Sequence, residues 1–195
     1  MFGWLSEALR DSSQVITANR RLARILTQDH AKQQVRLGRL AWRSPGILSW
    51  QDWLAKLISA ADIAEPLPTR INAHQSRVLW ERCLRREISD PLLNIATLAR
   101  QARESWGRLH DFGVPLSACE LAALGRDQKI FVAAANSYQS ILQREHWVDE
   151  AGLPRVIVAL LSSHKVTLPR KLSFAGFDRI TPAVALVNTP LPLLK

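Results

Sequence analysis

At 195 residues the chain has room for one large domain or two small ones, and a 47% hydrophobic content supplies a core. Lys and Arg number 26 against 17 Asp and Glu, a net charge of +9 that points to anionic partners, nucleic acid first and a membrane surface second. Two widely separated cysteines, Cys83 and Cys119, form no CxxC or Cys/His spacing, which excludes a zinc site and a disulfide scaffold and makes a reducing cytoplasm the expected location. The start, Met1-Phe2-Gly3-Trp4, lacks the charged and apolar regions of a signal peptide. No apolar run approaches the roughly 18 residues that cross a bilayer.

In chain order, an amphipathic helix is predicted over Phe2 to Arg10. Val15-Ile16-Thr17-Ala18 then reads as a short buried strand that turns sharply into a basic helix running to about Gln34. Asn19 is placed to cap that helix, and Leu22, Ile25 and Leu26 form its apolar stripe. Arg20, Arg21 and Arg24 lie off the stripe in the first turns, where cations oppose the helix dipole and acids are the usual choice. Such a cluster suggests an anionic partner, such as a phosphate backbone; a solvated basic face is the other reading. After Ser44-Pro45-Gly46, Ile47-Leu48 is a brief extended piece, and a helix with Trp50, Trp53, Leu54 and Leu57 on its buried side reaches about Ala64.

Glu65-Pro66-Leu67-Pro68 reads as a linker. Helices follow over Asn72 to Glu87, with Val78, Leu79, Cys83 and Trp80 inside, and from Asp90-Pro91 to Gly113. A capping-box pattern starts a short helix at Ser117, and further helices cover Asp127 to Glu145 and Pro154 to Leu161. Beyond Pro169, Leu172-Ser173-Phe174-Ala175 is a second apolar strand, followed by a turn at Phe177-Asp178-Arg179 and a helix opened by Thr181-Pro182. The two strands are expected side by side and parallel, with the helical block inserted between them and their turns on one edge. That gives a helix-dominated α/β chain divided as 1–64, 65–168 and 169–195, the last segment returning to the α/β domain.

Catalytic motifs are missing. The sequence contains no GxxxxGK[ST], HExxH or GxSxG, so neither a cofactor nor a catalytic residue is assigned. His30, His74, His110, His146 and His164 are scattered and read as surface or capping residues. Asp149-Glu150 reads as the cap of the helix near Gly152, and Asp178 stands alone past a strand end, so no metal site is assigned. Seven tryptophans invite a base-stacking reading, but Trp53, Trp80 and Trp106 fall at helical spacing among Leu and Ala and are assigned to the core. Trp42 and Trp50 flank the Ser-Pro-Gly turn and are the expected exposed pair.

Three blocks taken together resemble the N-terminal region of bacterial AddB/RexB-like DNA repair exonucleases: Thr17-Ala18-Asn19-Arg20-Arg21-Leu22-Ala23-Arg24, Ser44-Pro45-Gly46-Ile47-Leu48-Ser49-Trp50-Gln51-Asp52-Trp53-Leu54, and Leu172-Ser173-Phe174-Ala175-Gly176-Phe177-Asp178-Arg179-Ile180-Thr181-Pro182. Gln75 to Glu81, Ala102 to Trp106 and Trp147 to Pro154 fit the same order. The resemblance implies a partial RecA-like, degenerate superfamily 1 helicase domain with an inserted helical subdomain. On this basis the first block contacts single-stranded DNA through Thr17, Asn19, Arg20, Arg21 and Arg24. Asp178 lacks the adjacent Glu of an ATP-hydrolysing site, and the C-terminal PD-(D/E)XK nuclease of the family is absent from these residues. The expectation is therefore a truncated or split product: a DNA-binding module, without ATPase or nuclease activity of its own, that works with a helicase-nuclease partner subunit. The alternative is a helical protein-interaction scaffold without DNA contact.

Overall fold

The computed structural model describes residues 3–10, 14–61, 66–90, 92–122, 125–169 and 171–188. The chain divides into two compact units, Met1–Asp62 with Leu160–Ile180, and Ile63–Ala159 with Thr181–Lys195. The fold is α/β and dominated by helices.

The first unit is built on a parallel three-stranded sheet in the order β2-β1-β5, with β1 Gln14–Thr17, β2 Ile47–Ser49 and β5 Leu172–Ala175. Val15 pairs with Ile47 on one side and Ser173 on the other, so β1 is bonded along both edges. The neighbouring parallel strands expected at either end of the sequence are therefore present, and Ile47-Leu48, read only as an extended piece, is the third strand. Val15 and Ile16 are fully buried, as a strand covered on both faces requires. Helix α1 (Gly3–Arg10) and helix α2 (Arg20–Arg36) pack with this sheet through Leu5, Leu26, Val15 and Ile47. Helix α3 (Trp50–Ser59) contributes Trp53, Leu54 and Leu57 to the interior. Ile25, expected on the apolar stripe of α2, is 41% exposed, because Leu22, Ala23 and Leu26 fill the contact instead.

The second unit is helical: α4 (Ala73–Glu87), α5 (Ile95–Phe112), α6 (Leu116–Ala122), α7 (Arg126–Arg144), α8 (Leu153–Ser162), whose last turn falls to the first unit, and α9 (Pro182–Asn188). A two-residue parallel bridge joins β3 (Thr69–Arg70) to β4 (Trp147–Val148). Trp80 lies at the centre of the core, stacked on Tyr138 at 4.4 Å and on Phe131 at 6.0 Å, with Trp106 edge-on at 6.1 Å. Val78, expected inside, is 48% exposed. Helix α5 starts later than Asp90-Pro91 suggested: the Asp90 carboxylate accepts from the Leu92 N–H, and Asn94 caps the helix by accepting from Thr97 N–H at 3.0 Å. Ser117 lies inside α6 and does not cap it. Helix α9, assigned from sequence to the α/β domain, packs with α5 in the helical unit and buries Ala183, Val184 and Val187.

The helical core also encloses a polar cluster. Asp149 is 4% exposed; its Oδ2 accepts from Trp106 Nε1 and the Tyr138 hydroxyl, both at 3.0 Å, and its Oδ1 accepts from Gly152 N–H. The expected cap at Gly152 is formed, and the same side chain also joins α5 to α7. Ser76 extends the cluster to α4 through Tyr138 at 2.8 Å. The His110 ring lies 4.4 Å from that of Trp106. Burial holds its imidazole below the ordinary value of 6.5, Asp149 partly opposing and Arg155 reinforcing the shift.

Gly176 and Gly38 both have positive φ, but a Cβ on Gly176 would lie 2.4 Å from Leu22 Cδ2, whereas one on Gly38 meets nothing within 4 Å. Gly38→Ala should therefore cost about 1 kcal/mol and Gly176→Ala about 2–3 kcal/mol in thermal unfolding, because the second adds a clash with the half-buried Leu22 side chain to the same backbone strain. For His110, the unfolded chain takes up a proton as pH falls through 6.5 while the folded chain resists it. Urea denaturation should show stability falling between pH 7 and 5.5, and His110→Leu should flatten that part of the profile.

Candidate nucleic-acid interface

All three strands of the first sheet run parallel, so their carboxyl ends lie on one edge, where β1 and β5 lead into turns and β2 runs directly into α3. Open α/β sheets place ligands at that edge. Strand β1 ends at Thr17, which is fully buried. Its hydroxyl is within donating distance of two backbone carbonyls, that of Asn19 at 2.9 Å and that of Leu48 at 3.3 Å. Thr17 thus fastens the turn from inside and presents no hydroxyl to a ligand. The backbone stays extended at Asn19 (φ −151°, ψ 161°), whose side chain accepts from Leu22 N–H at 2.9 Å. The cap expected from sequence is made, and it occupies the Asn19 oxygen.

Arg20 is the first residue of α2, with Arg21 and Arg24 following on the same side of the helix. At 3.6 residues per turn the three span about 100° of its circumference. All three are exposed. The first turn of α2 carries no acid of its own. Its charge is balanced instead from α3: Arg20 Nη2 lies 2.7 Å from Asp52 Oδ1, and Nε contacts both carboxylate oxygens at 3.1 Å. Asp52 is held in turn by Ser49, the cap of α3, whose hydroxyl donates to Oδ2 at 2.6 Å and accepts from Asp52 N–H at 3.2 Å. No ion pair is formed by Arg21 or Arg24 among the described residues.

The β5 turn adds aromatic surface. Phe177 meets Trp50 edge-on at 6.5 Å and Phe174 at 5.6 Å, and Trp50 leans on Trp53 at 5.5 Å. Trp50 is half-buried by these contacts and Trp42 is 37% exposed. Asp178 and Arg179 stand exposed on the same turn.

The sequence brought forward the arginines and their cap but not Asp52, although the Ser49-x-x-Asp52 spacing marks a helix start and so a carboxylate at a strand end. No group of three or more His, Cys, Asp or Glu side chains suited to a metal occurs among the described residues. None of the described helices is long and apolar enough to cross a membrane. Separately, the helical unit holds a cavity of about 540 Å³ lined mainly by apolar side chains, among them Leu84, Ile88, Leu98, Ala102 and Phe131. Compared with known proteins, the chain matches no family model and no curated protein.

Proposed function

We propose that the chain is a non-catalytic DNA-binding module, related to the helicase-like N-terminal region of AddB/RexB-like repair exonucleases. It would hold the phosphate backbone of a single strand at the carboxyl edge of its three-stranded sheet. The observation that carries this reading is the arc of Arg20, Arg21 and Arg24 at the start of α2, two of them with no acidic partner among the described residues. Backbone contacts of this kind bind without reading sequence. The parallel pairing of β1 with β5 across a large helical insertion supports the partial RecA-like architecture. Thr17 and Asn19 shape the turn in this reading, while the arginines make the contacts. Nearby half-buried aromatic rings favour a single strand, whose bases are free to stack, over a duplex. A helicase-nuclease subunit remains the proposed partner in the cell.

The scaffold reading also has an observation in its favour. Leu92 and Leu121 of the helical unit are each 91% exposed, which suits contact with a protein.

Titration of a fluorescent single-stranded oligonucleotide across a range of salt concentrations separates the two. Changing Arg20, Arg21 and Arg24 together to Ala should weaken binding and flatten the slope of log K against log salt by about 1.4 to 2 units, at about 0.7 per contact. Helicity should persist, since Ala is a good helix former. A control with Lys32, Arg36 and Arg43 changed to Ala removes the same charge. Equal losses in the two triple variants would reject a specific site and leave the scaffold.

A further inference from the structure

Arg20 differs from its two neighbours in already holding an anion. Its guanidinium grips Asp52 through both Nε and Nη2, the two-pronged geometry with which Arg also binds a phosphate. Asp52 is fixed for this role: Ser49 bonds its carboxylate and its backbone N–H, and α3 carries it in the first turn, where the dipole favours a negative charge. Both partners face solvent, with side chains 67% and 38% exposed, so the pair is open to competition from a dissolved anion. An exposed pair of this kind contributes little to stability and exchanges easily.

We propose that Asp52 is an internal stand-in for phosphate, which occupies Arg20 in the free protein and is displaced when a strand binds. This rests on the DNA-binding reading above. The exchange has a thermodynamic signature. A phosphate that meets an unpaired arginine sheds its condensed counterion, and that release sets the salt dependence. A phosphate that displaces Asp52 also sheds a counterion, but the freed carboxylate gathers a cation, so the contact releases almost no net ion. In the wild-type protein Arg21 and Arg24 therefore set the salt slope, while Arg20 adds a contact nearly insensitive to salt. Asp52 thereby restrains affinity at low salt.

The test is a double-mutant cycle on the full chain, with a fluorescein-labelled oligothymidylate as probe. Asp52→Asn preserves the side chain's shape and its bond with Ser49 while removing the charge. It should bind about fivefold more tightly at 0.1 M salt, with a slope steeper by about 0.7. Arg20→Gln in the wild-type background should change the slope little. Added to Asp52→Asn, it should abolish both the gain and the steepening. Glu7→Gln, an equal change of charge elsewhere in the unit, should do neither. In a second measurement, the Arg20 Nε–H resonance of the wild-type protein should shift on titration with the oligonucleotide. A gain that survives Arg20→Gln would reduce Asp52 to a general field effect and overturn the exchange. So would an unmoved Arg20 resonance, or an absent gain, in a protein whose binding still falls with Arg21→Ala and Arg24→Ala. Binding indifferent to all of these changes would instead reject the DNA-binding reading itself.

Discussion

The first unit depends on four residues. Strand β1 is bonded along both edges, and Val15, Ile16 and Thr17 are inaccessible to solvent. In the order β2-β1-β5 it is the central strand, so the sheet forms where β1 can lie flat between the other two. The positions of α2 and α3 follow, because α2 starts three residues after β1 ends and α3 starts at the residue after β2. Thr17 couples the two starts: its buried hydroxyl lies within reach of the α2 cap on one side and of β2 on the other. A valine of the same shape would fill the space yet leave the turn without that proton. The basic edge is thus a consequence of how β1 ends.

Much of this was legible in the residues. Two short runs of β-branched and aromatic side chains, each followed by Asn or Gly and then a helical pattern, mark strands leading into turns, and alike surroundings suggested alike places in one sheet. Asn19 announced its own cap. The third strand was harder, because Ile47–Ser49 is too short for periodicity to distinguish it from a loop; only its pairing with β1 defines it. Helix starts failed where local signals competed. Asp90-Pro91 and Asn94 are both good openings, and the choice went to Asn94 because Asp90 turns its carboxylate on Leu92 instead. Arg20–Asp52 and Trp50–Phe177 were out of reach, since both join residues that only the sheet brings together.

The helical unit shows the same limit more sharply. Asp149 precedes a helix and reads as a local cap, which it is. Its other oxygen receives Trp106 and Tyr138 in the middle of an aromatic core, and nothing near Asp149 in the sequence hints at that. A buried carboxylate is tolerable only when such donors replace water, and each donor would itself be left unsatisfied without it. Three helices therefore share one point of polar agreement, which fixes their relative rotation more narrowly than apolar packing alone would.

The small β3–β4 bridge bears on how the chain finds this structure. Pairing β1 with β5 closes a loop about five times longer than pairing β1 with β2, at an added entropic cost of about 1.4 kcal/mol. The bridge sets Thr69 beside Trp147, where the chain comes into the helical block and where it comes back from α7. Once that block has formed, the span between them no longer counts as loose chain, and the remaining closure is roughly halved in length, a relief of about 0.6 kcal/mol. Two residue pairs that add little burial thus lower the entropic cost of closing the interrupted sheet once the insertion has folded. Contacts local to the helical block cost less chain entropy than the distant pairing that completes the basic edge.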